Sequence, residues 1–311
     1  MKILHVHPSA RMATKFVIPL VKYEQKIGFK SELIVFKNDD KNFKFVSYNL
    51  FLFSLNLVIE SIKFYIFLKK NKPDIVICHN SLQSIIPLII SNLMNIKRKV
   101  YFNHGVPFLG YKGILRYIFL FIEKLNSYTS DVTVTVSFSM KKYLDTIKPN
   151  TYVIHNGSAC GFDLTKKIFK RKKNNKKSII TYVGRLKKRK GSYILLDIIK
   201  YFEKREDVEF KLCGCTNEEF YKISKNKFKN LNCLGFIDNV EEILKETDIF
   251  ILPSFHEGLP YALMEAMSYG ILCIGNNVPG INSLIKHNKS GILVDGNLSQ
   301  GYIDIIERSL N

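Results

Sequence analysis

Two short segments in the second half of the chain combine residue types that bind anionic, hydroxyl-rich ligands. The first is YVGRLKKRKG (182–191), in which Gly184 ends a strand-like run, Arg185 follows it, and Lys190 precedes a helical pattern. A glycine after a strand lets a ligand approach the backbone. An Arg fork together with a Lys point charge suits a diphosphate. The alternative is that both residues are ordinary surface cations in a chain that has 47 Lys and Arg residues.

The second segment, SFHEGLPYALMEAMSYG (254–270), places two carboxylates around the start of a helix. It follows the strand-like run DIFILP, so Glu257 lies just beyond the carboxyl end of a strand. The proline after Leu259 suits a first helical turn, so the amides of Gly258 and Leu259 lie near a helix N-terminus, where phosphates bind. Glu265 follows Glu257 by a little over two turns, so the two carboxylates can contact two ends of one elongated ligand. The alternative makes Glu257 a helix cap and Glu265 a surface acid.

Short apolar runs alternate with helix-length segments along the whole chain. Continuous apolar runs flanked by helices indicate parallel sheets that are buried on both faces. Two such sets predict an α/β protein with two doubly wound, Rossmann-like domains facing a cleft, with ligands at the carboxyl ends of the strands. The predicted strands are 2–6, 31–36, 74–78, 99–103, 132–136 and 151–155 in the first half, and 178–184, 208–214, 231–235, 248–253, 271–275 and 291–294 in the second.

The domain boundary is expected where basic residues are densest. A length of 311 residues suits two domains of ordinary size. The stretch 166–190 contains many Lys and Arg residues and no acidic residue, and its first half resembles a solvated linker. We therefore expect one domain at 1–165 and a second at 166–311. The run itself is either a solvated charge segment or one that attracts a membrane or phosphates.

The net charge of +20 points to anionic partners such as nucleic acid, phosphates or an anionic membrane surface. A hydrophobic content of 46% excludes a disordered or fibrous chain. No nucleic-acid-binding module is recognisable, so a basic nucleic-acid-binding protein is the weaker alternative. The six cysteines form no CxxC pair, and the N-terminus starts directly with a strand pattern, so a reduced, cytoplasmic location is expected.

Two apolar segments of the first half could meet a membrane. The segment 48–68 is nearly long enough to span a bilayer, but Glu60 and Lys63 fall on a polar stripe, which disfavours a transmembrane helix. The segment 110–125 is similarly apolar and is edged by Lys and Arg. Both are expected to be amphipathic helices, either at an anionic membrane surface or packed in the core.

Several motifs together resemble the group 1 glycosyltransferases, also called family 4, which have the GT-B fold. GRLxxxKG (184–191) and SxxEGxPxxxxEAMxxG (254–270) resemble their C-terminal domain, and the combination of both motifs is highly specific. The similarity covers almost the whole chain. It extends over GFxxNVEEIL (235–244), VPG…GILVD (278–295), FNHGVPFLG (102–110), IEKLNSYTSDVTVTVSFS (122–139) and VIHNGSACGFD (153–163).

The resemblance implies a role for each matching position in the second domain. Arg185 and Lys190, beside Gly184, would hold the diphosphate of a nucleotide sugar and stabilise the charge that grows on the leaving group. Glu265 would bind the ribose hydroxyls. Glu257, with the Gly258 and Leu259 amides, would face the donor sugar and phosphate. Phe236, in the loop after Gly235, would contact the base.

In the first domain, the resemblance implies that His104 reaches the donor sugar across the cleft. The residue-based alternative is that His104 only makes hydrogen bonds within its loop. The segment HPSARMATK after the first strand departs from the Gly-rich loop of the family, and it makes Arg11 a candidate contact for an acceptor phosphate. The chain also stops soon after GILVDGN, so a shortened C-terminal part is expected.

The resemblance finally implies a reaction. It is the transfer of a sugar, with retention and with neither cofactor nor metal, from a nucleotide diphosphate sugar of the UDP type. The acceptor would be an undecaprenyl-diphosphate-linked saccharide in O-antigen or capsule assembly. The enzyme would be peripheral on the inner face of the bacterial cytoplasmic membrane. The alternative is a catalytically silent homologue that acts as a partner subunit.

Overall fold

The computed structural model of the chain describes residues 1–39, 46–51, 55–154, 177–237, 239–296 and 298–310. The chain divides into two compact units, Met1–Gly161 and Phe162–Asn311. The expected boundary between residues 165 and 166 and most of the basic run before residue 177 lie outside the described residues.

The first unit is built on a seven-stranded parallel sheet in the order β3-β2-β1-β4-β5-β6-β7. The chain leaves β1 for β2 on one side and later adds β4 on the other, so the strand order reverses beside β1. Its strands are β1 Lys2–Ser9, β2 Lys30–Lys37, β3 Val46–Ser47, β4 Ile75–His79, β5 Arg98–Asn103, β6 Val132–Thr135 and β7 Tyr152–Val153. Its helices are α1 Ala10–Phe16, α2 Ile18–Lys26, α3 Leu57–Asn71, α4 Ser81–Leu93, α5 Gly113–Thr129 and α6 Phe138–Leu144.

The second unit is built on a six-stranded parallel sheet in the order β10-β9-β8-β11-β12-β13. Here the order reverses between β8 and β11, whose carboxyl ends carry the two segments with candidate ligand-binding residues. Its strands are β8 Ser178–Val183, β9 Val208–Cys213, β10 Leu231–Cys233, β11 Ile249–Leu252, β12 Leu272–Asn276 and β13 Ile292–Val294. Its helices are α7 Ser192–Tyr201, α8 Asn217–Ser224, α9 Glu241–Glu246, α10 Tyr261–Ser268 and α11 Ser299–Leu310.

Burial on both sheet faces explains why these strands are recognisable as apolar runs. All four residues of β11 are buried, and Phe250 and Ile251 are fully enclosed in a core that also contains apolar residues of α7 and α10. The prediction of doubly wound α/β units is therefore confirmed, and each predicted strand has its counterpart. The sequence analysis missed β3, which has two residues, both of them exposed.

Helix α5 is amphipathic, as predicted. In the predicted segment 48–68 the helix begins only at Leu57, and α3 is apolar on its exposed face as well as its buried one. Both helices keep large apolar side chains on the surface. On α5, Ile114, Tyr117 and Phe121 are each more than three-fifths exposed, whereas Ile122 is buried. On α3, Val58 has an exposed fraction of 72%. None of the helices in the described parts of the chain has both the length and the apolar composition that crossing a bilayer requires.

The core of the first unit contains a carboxylate that no solvent reaches. Glu123 on α5 accepts hydrogen bonds from the Tyr101 hydroxyl at 2.7 Å, from the Asn103 amide nitrogen at 2.9 Å and from the Ser81 hydroxyl. Burial raises the pKa of Glu123 to about 7, although these hydrogen bonds favour its charged form. The Asn103 side-chain oxygen in turn accepts from the Gly105 amide at 2.9 Å, so this network also supports the loop after β5.

We expect Glu123 to make the stability of the protein fall with rising pH. Because the pKa is raised in the folded state, the folded protein binds more protons than the unfolded chain between pH of about 4.5 and 7. From pH 5 to 8, this group should lower the free energy of unfolding by about 2–3 kcal/mol. Glu123→Gln should remove that part, which urea unfolding of both proteins at both pH values would measure. Equal pH dependence in both proteins would contradict the assignment.

Candidate functional site

Three glycines join the ends of neighbouring strands in the second unit. The Gly184 amide donates to the Cys213 carbonyl at 2.8 Å, and the Gly214 amide donates to the Gly235 carbonyl at 2.6 Å. A Cβ on Gly214, which has φ +103°, would lie 2.7 Å from the Gly184 carbonyl oxygen. The close approach therefore requires glycine at position 214. As a result, Arg185 and the exposed Phe236 each directly follow a glycine of this hydrogen-bonded group.

Lys190 and Glu257 form an ion pair, with the Lys190 Nζ at 2.5 Å from the Glu257 Oε1. Lys190 ends a 3-10 turn after β8, and Glu257 follows β11. Burial opposes ionisation of Glu257, whose exposed fraction is 6%, but the Lys190 charge and hydrogen bond outweigh burial and lower its pKa. The interpretation of Glu257 as a helix cap is wrong, because no side chain caps α10 and Pro260 lies at the N-cap.

Backbone contacts fix the two loops that carry this ion pair. The Phe255 amide donates to the Arg189 carbonyl at 2.9 Å, and the Arg189 guanidinium donates to the His256 carbonyl at 3.0 Å. Gly191 has φ +75°, and a Cβ there would lie 2.0 Å from the Pro253 carbonyl oxygen. The loops after β8 and β11 therefore form one surface, with Lys190 and Glu257 held within it.

A third loop, after β12, contacts the backbone of Glu257 and Gly258. The Glu257 amide donates to the Pro279 carbonyl at 3.2 Å. Gly280 has φ +86°, and a Cβ there would lie 2.5 Å from the carbonyl oxygens of both Glu257 and Gly258. Among the hydrogen bonds of the described residues, none uses the amides of Gly258 or Leu259 as donors. These amides are therefore available to an anion or a sugar oxygen near the start of α10.

The remaining predicted residues of this unit lie on the same loops or on α10. Arg185 is exposed, and its carbonyl accepts from the Tyr182 hydroxyl at 3.1 Å. Glu265 is half-buried on α10. Burial and a hydrogen bond to Glu241 raise the pKa of Tyr269, and the charge of Glu265 adds a smaller effect in the same direction. The loops thus bring Lys190 together with Glu257 and its chain neighbours Gly258 and Leu259, whereas Gly184 contacts the loop after β9.

His104 belongs to the first unit, where it follows β5. Its Nε2 lies 2.8 Å from the His79 Nδ1, and its ring stacks on Phe102 with centroids 4.5 Å apart. Burial, assisted by the charge of His7, lowers the pKa of His104 to about 3, so the imidazole is neutral at neutral pH. The alternative in which His104 makes hydrogen bonds only within its loop does not account for this contact with His79, which lies on another strand.

The segment around Arg11 is organised by an acidic residue that was given no role. The Asp39 carboxylate accepts from the Ser9 hydroxyl at 2.9 Å and from the Arg11 amide at 2.9 Å. Asp39 therefore satisfies backbone and side-chain donors at the start of α1. Arg11 stays a candidate acceptor contact through its exposed side chain.

Sequence reasoning also missed Arg189, Gly280 and Pro279. Gly280 and Pro279 stand in the VPG motif, so the motif was noticed while its function as a support for Glu257 was not. Arg189 was hidden among neighbouring cations. In chemical terms, the three loops offer cations, backbone amides and a carboxylate that can face sugar hydroxyls, a set suited to binding a sugar diphosphate. Among the described residues, no group of three or more His, Cys, Asp or Glu side chains is arranged to hold a metal ion.

Comparison with known proteins assigns both units to glycosyltransferase families. The model described as "Glycosyl transferases group 1" matches residues 163–311, and that described as "Glycosyltransferase Family 4" matches residues 20–159. A galactosyltransferase of Escherichia coli, named UDP-Gal:alpha-D-GlcNAc-diphosphoundecaprenol alpha-1,3-galactosyltransferase, is 29% identical over 79% of this chain and 69% of its own length. An uncharacterized 41.2 kDa protein in the cps region of Klebsiella pneumoniae is 28% identical over 77% of this chain and 70% of its own length.

Solved structures share the fold over the entire chain. Sucrose-phosphate synthase from Thermosynechococcus elongatus has a TM-score of 0.80 at 15% identity, covering 100% of this chain and 90% of its own. HepE of Anabaena, in complex with UDP and glucose, has a TM-score of 0.80 at 16% identity with the same coverage. These likenesses show the GT-B fold. Together with the two family matches, this places the chain in the group 1, or family 4, glycosyltransferases.

Gly280→Ala should disturb the loop that carries Glu257. Since the new Cβ would lie 2.5 Å from two carbonyl oxygens, the backbone of Glu257 and Gly258 must move. We expect a folded protein whose glycosyl transfer falls at least about tenfold, since misplacement by an ångström is costly in an active site. Enzyme assays and circular dichroism would measure both properties.

The matched control is Gly270→Ala, immediately after α10. Gly270 also has a positive φ of +65°, but its Cβ would meet no atom within 4 Å. It should cost about 1 kcal/mol of stability from backbone strain and leave the activity of the folded protein near that of the wild type. Equal loss of activity in both variants would show that strain, rather than contact with Glu257, is responsible.

Proposed function

We propose that this glycosyltransferase moves a sugar from a UDP-sugar to a saccharide carried on undecaprenyl diphosphate, with retention and without a metal ion. The observation that carries the proposal is the Lys190–Glu257 ion pair beside the Gly258 and Leu259 amides. It provides a cation for a diphosphate, amides for its oxygens and a carboxylate for sugar hydroxyls on one surface. The E. coli relative is named for a UDP-sugar donor and HepE is in complex with UDP, which supports the choice of donor.

Each donor-binding residue has a proposed partner in the sugar nucleotide. Arg185 and Lys190, next to Gly184, bind the diphosphate, and Glu257 with the Gly258 and Leu259 amides binds the sugar. Glu265 binds the ribose hydroxyls, and Phe236 contacts the base with its exposed ring. His104, from the first unit, makes a hydrogen bond to the sugar substrate.

The reaction places opposite charges at the two ends of the bond that breaks. The sugar ring becomes positive, and the departing phosphate gains negative charge. Fixed cations and backbone amides stabilise the phosphate without reorganising during the reaction, so they can do the work that a divalent metal does in other transferases. Arg185 and Lys190 are the proposed source of this stabilisation.

The proposed acceptor is supported by the names of two relatives. Besides the E. coli enzyme, a Campylobacter jejuni relative with 30% identity over 38% of this chain is named for a PP-undecaprenol-linked saccharide. The net charge of +20 and the apolar outer faces of α3 and α5 suit access to an acceptor in an anionic membrane. We therefore propose peripheral binding at the inner face of the cytoplasmic membrane.

Transfer should be detected when the purified protein is given a panel of UDP-sugars and a synthetic lipid-diphosphate saccharide in EDTA. The product should keep the anomeric configuration of the donor, as read from NMR couplings. Arg185→Ala and Lys190→Ala should each lower turnover by roughly 10²–10³, the scale for removing one charge-stabilising donor. Lys200→Ala, on the exposed end of α7, is the matched control and should retain activity.

Four outcomes would contradict parts of the proposal. Near-wild-type turnover in a folded Arg185→Ala/Lys190→Ala protein would remove these residues from the site. Loss of activity in EDTA that Mg²⁺ or Mn²⁺ restores would exclude metal independence, and an inverted product would exclude retention. Neither transfer nor donor hydrolysis with any sugar nucleotide would favour the silent partner subunit.

The membrane part of the proposal depends on the outer faces of helices α3 and α5 in the first unit. Helices α3 and α5 both pack against α4, so their outer faces lie on the same side of the sheet. On α5, the exposed Ile114 and Phe121 share one helical face with the exposed Lys124, and Arg116 is exposed near the start of the same helix. Apolar side chains that insert among lipids, with cations that meet anionic headgroups, describe a helix lying in a membrane interface.

We expect the protein to bind anionic vesicles more tightly than neutral ones, with binding that weakens but persists at high salt. Arg116→Gln/Lys124→Gln should weaken binding at low salt by about 2 kcal/mol, roughly thirtyfold, because each cation near an anionic surface contributes about 1 kcal/mol. Ile114→Ser/Phe121→Ser should abolish the part that survives high salt. Vesicle co-sedimentation measures both effects.

A matched control lies on α8 of the second unit. Tyr221 and Ile223 are also exposed, at 49% and 42%, and their replacement by Ser should not change vesicle binding. A wild-type protein that ignores anionic vesicles at low salt would instead favour a soluble acceptor.

A further inference from the structure

A chain of hydrogen bonds runs through the first unit and ends at His104. The Glu24 Oε2, on α2, lies 2.9 Å from the His5 Nε2, on β1. The His5 Nδ1 lies 3.0 Å from the His79 Nε2, at the end of β4, and the His79 Nδ1 lies 2.8 Å from the His104 Nε2. Because β1, β4 and β5 are neighbours in the sheet, the chain crosses three adjacent strands.

The inner members of this chain are closed to water. His5 and His79 have exposed fractions of 0% and 1%, and Glu24 has 9%. The Ser31 hydroxyl donates to the same Glu24 oxygen at 2.6 Å, which holds the carboxylate in place. Buried imidazole nitrogens must therefore satisfy one another, and each link needs one donor and one acceptor.

Glu24 determines the direction of the whole chain. Burial opposes ionisation of Glu24, but the hydrogen bonds from His5 and Ser31 lower its pKa, so it is an ionised acceptor. His5 must then carry its proton on Nε2. With one proton on each ring, the His5 Nδ1 accepts from His79, and the His79 Nδ1 accepts from the His104 Nε2.

His79 and His104 are neutral at neutral pH, as this assignment requires. Burial lowers the pKa of His79 well below its ordinary value and lowers that of His104 to about 3. The nearby ring of His7 lies outside the chain: its centroid is 5.8 Å from that of His79, its Nδ1 is bonded to the Ser9 carbonyl, and burial lowers its pKa to about 4. Asp39 faces His7 from the loop after β2.

Other charged groups of α2 point away from the chain. Lys22 and Lys26 are exposed, so Glu24 is the one carboxylate that α2 directs into these histidines. His104, in contrast to His5 and His79, is only half-buried. Its Nε2 is committed to His79, which leaves Nδ1 as the ring nitrogen that a ligand can use.

We propose that Glu24 is a positioning residue for sugar transfer. Through His5 and His79, it holds His104 in the tautomer that carries its proton on Nε2, and it leaves Nδ1 to accept a hydrogen bond from a sugar hydroxyl. The identity of this ligand rests on the proposed function. The tautomer of His104 depends only on hydrogen bonds within the protein, so it can be tested without any substrate.

Glu24→Gln tests the proposal with little change of shape. A glutamine can offer His5 either its amide oxygen or its amide nitrogen, so the direction of the hydrogen-bond chain is no longer fixed. ¹⁵N NMR of histidine-labelled protein reports which ring nitrogen is protonated, and loss of the signal in His104→Ala assigns it. The wild type should show His104 protonated on Nε2, and Glu24→Gln should show a mixture of both tautomers.

Kinetics test the effect on the reaction. Glu24→Gln should lower kcat/KM about tenfold, the scale for losing a group that orients a functional imidazole. In a protein that already carries His104→Ala, the same change should have no further effect, because Glu24 acts only through His104. A merely structural role would lower activity equally in both backgrounds and leave the tautomer unchanged.

Asp131→Asn is the matched control. Asp131 accepts from the Lys99 amide at 2.7 Å and pairs with its ammonium at 3.2 Å, at the opposite ends of the strands. This variant also removes a carboxylate from the sheet of the first unit, but it should leave the His104 tautomer and kcat/KM unchanged. A wild-type His104 protonated on Nδ1, or an unchanged tautomer in Glu24→Gln, would overturn the proposal. Absence of transfer in the wild type would count against the proposed function, while the NMR result would still decide the tautomer.

Discussion

The ion pair between Lys190 and Glu257 is the interaction on which the loops of the second unit depend. A buried carboxylate stays ionised only when a counter-charge compensates for lost hydration. Lys190 supplies that charge from a different strand end, so neither loop can reach its observed arrangement alone. Arg189, Gly191 and Gly280 then fix the backbones that bring the two charges together. Breaking one partner leaves the other as an uncompensated buried charge.

The same pair has a second function that differs from structural support. A lysine at 2.5 Å from a carboxylate is largely neutralised in the free protein. In the proposed donor complex, a diphosphate at Lys190 would compete with Glu257 for the ammonium, and Glu257 would then turn to the sugar hydroxyls. Binding of the two halves of a sugar diphosphate would thus be coupled through one exchange of partners.

The fold could be predicted from the sequence because burial on both sheet faces produces runs of apolar residues. Such runs identify β8 and β11 directly, whereas β3 has two exposed residues and no such pattern. Residues of the site that carry charge and stand in motifs, such as Lys190 and Glu257, were also identifiable. Their pairing was not, because it depends on which strand ends are neighbours.

Contacts between backbones and between buried histidines escape sequence reasoning for a related reason. Glycine is needed at position 280 because a Cβ there would lie 2.5 Å from carbonyl oxygens of another loop. The residues around Gly280 in the sequence do not indicate this contact. His5 and His79 each look like isolated residues in apolar strands. Only the sheet order places them next to each other and next to His104.

The loop after β8 has two groups of cations, those that contact protein groups and those that are exposed. The exposed group affects donor binding and product release in opposite ways. Arg189 and Lys190 contact protein groups, whereas Arg185, Lys187 and Lys188 are exposed. Exposed cations attract an anionic donor from a distance and speed its arrival. Under the proposed function, the nucleoside diphosphate product carries more negative charge than the sugar nucleotide from which it forms, so the same cations would hold the product more tightly than the donor. A loop that favours rapid capture would then also slow release, and accumulated nucleoside diphosphate would inhibit its own formation.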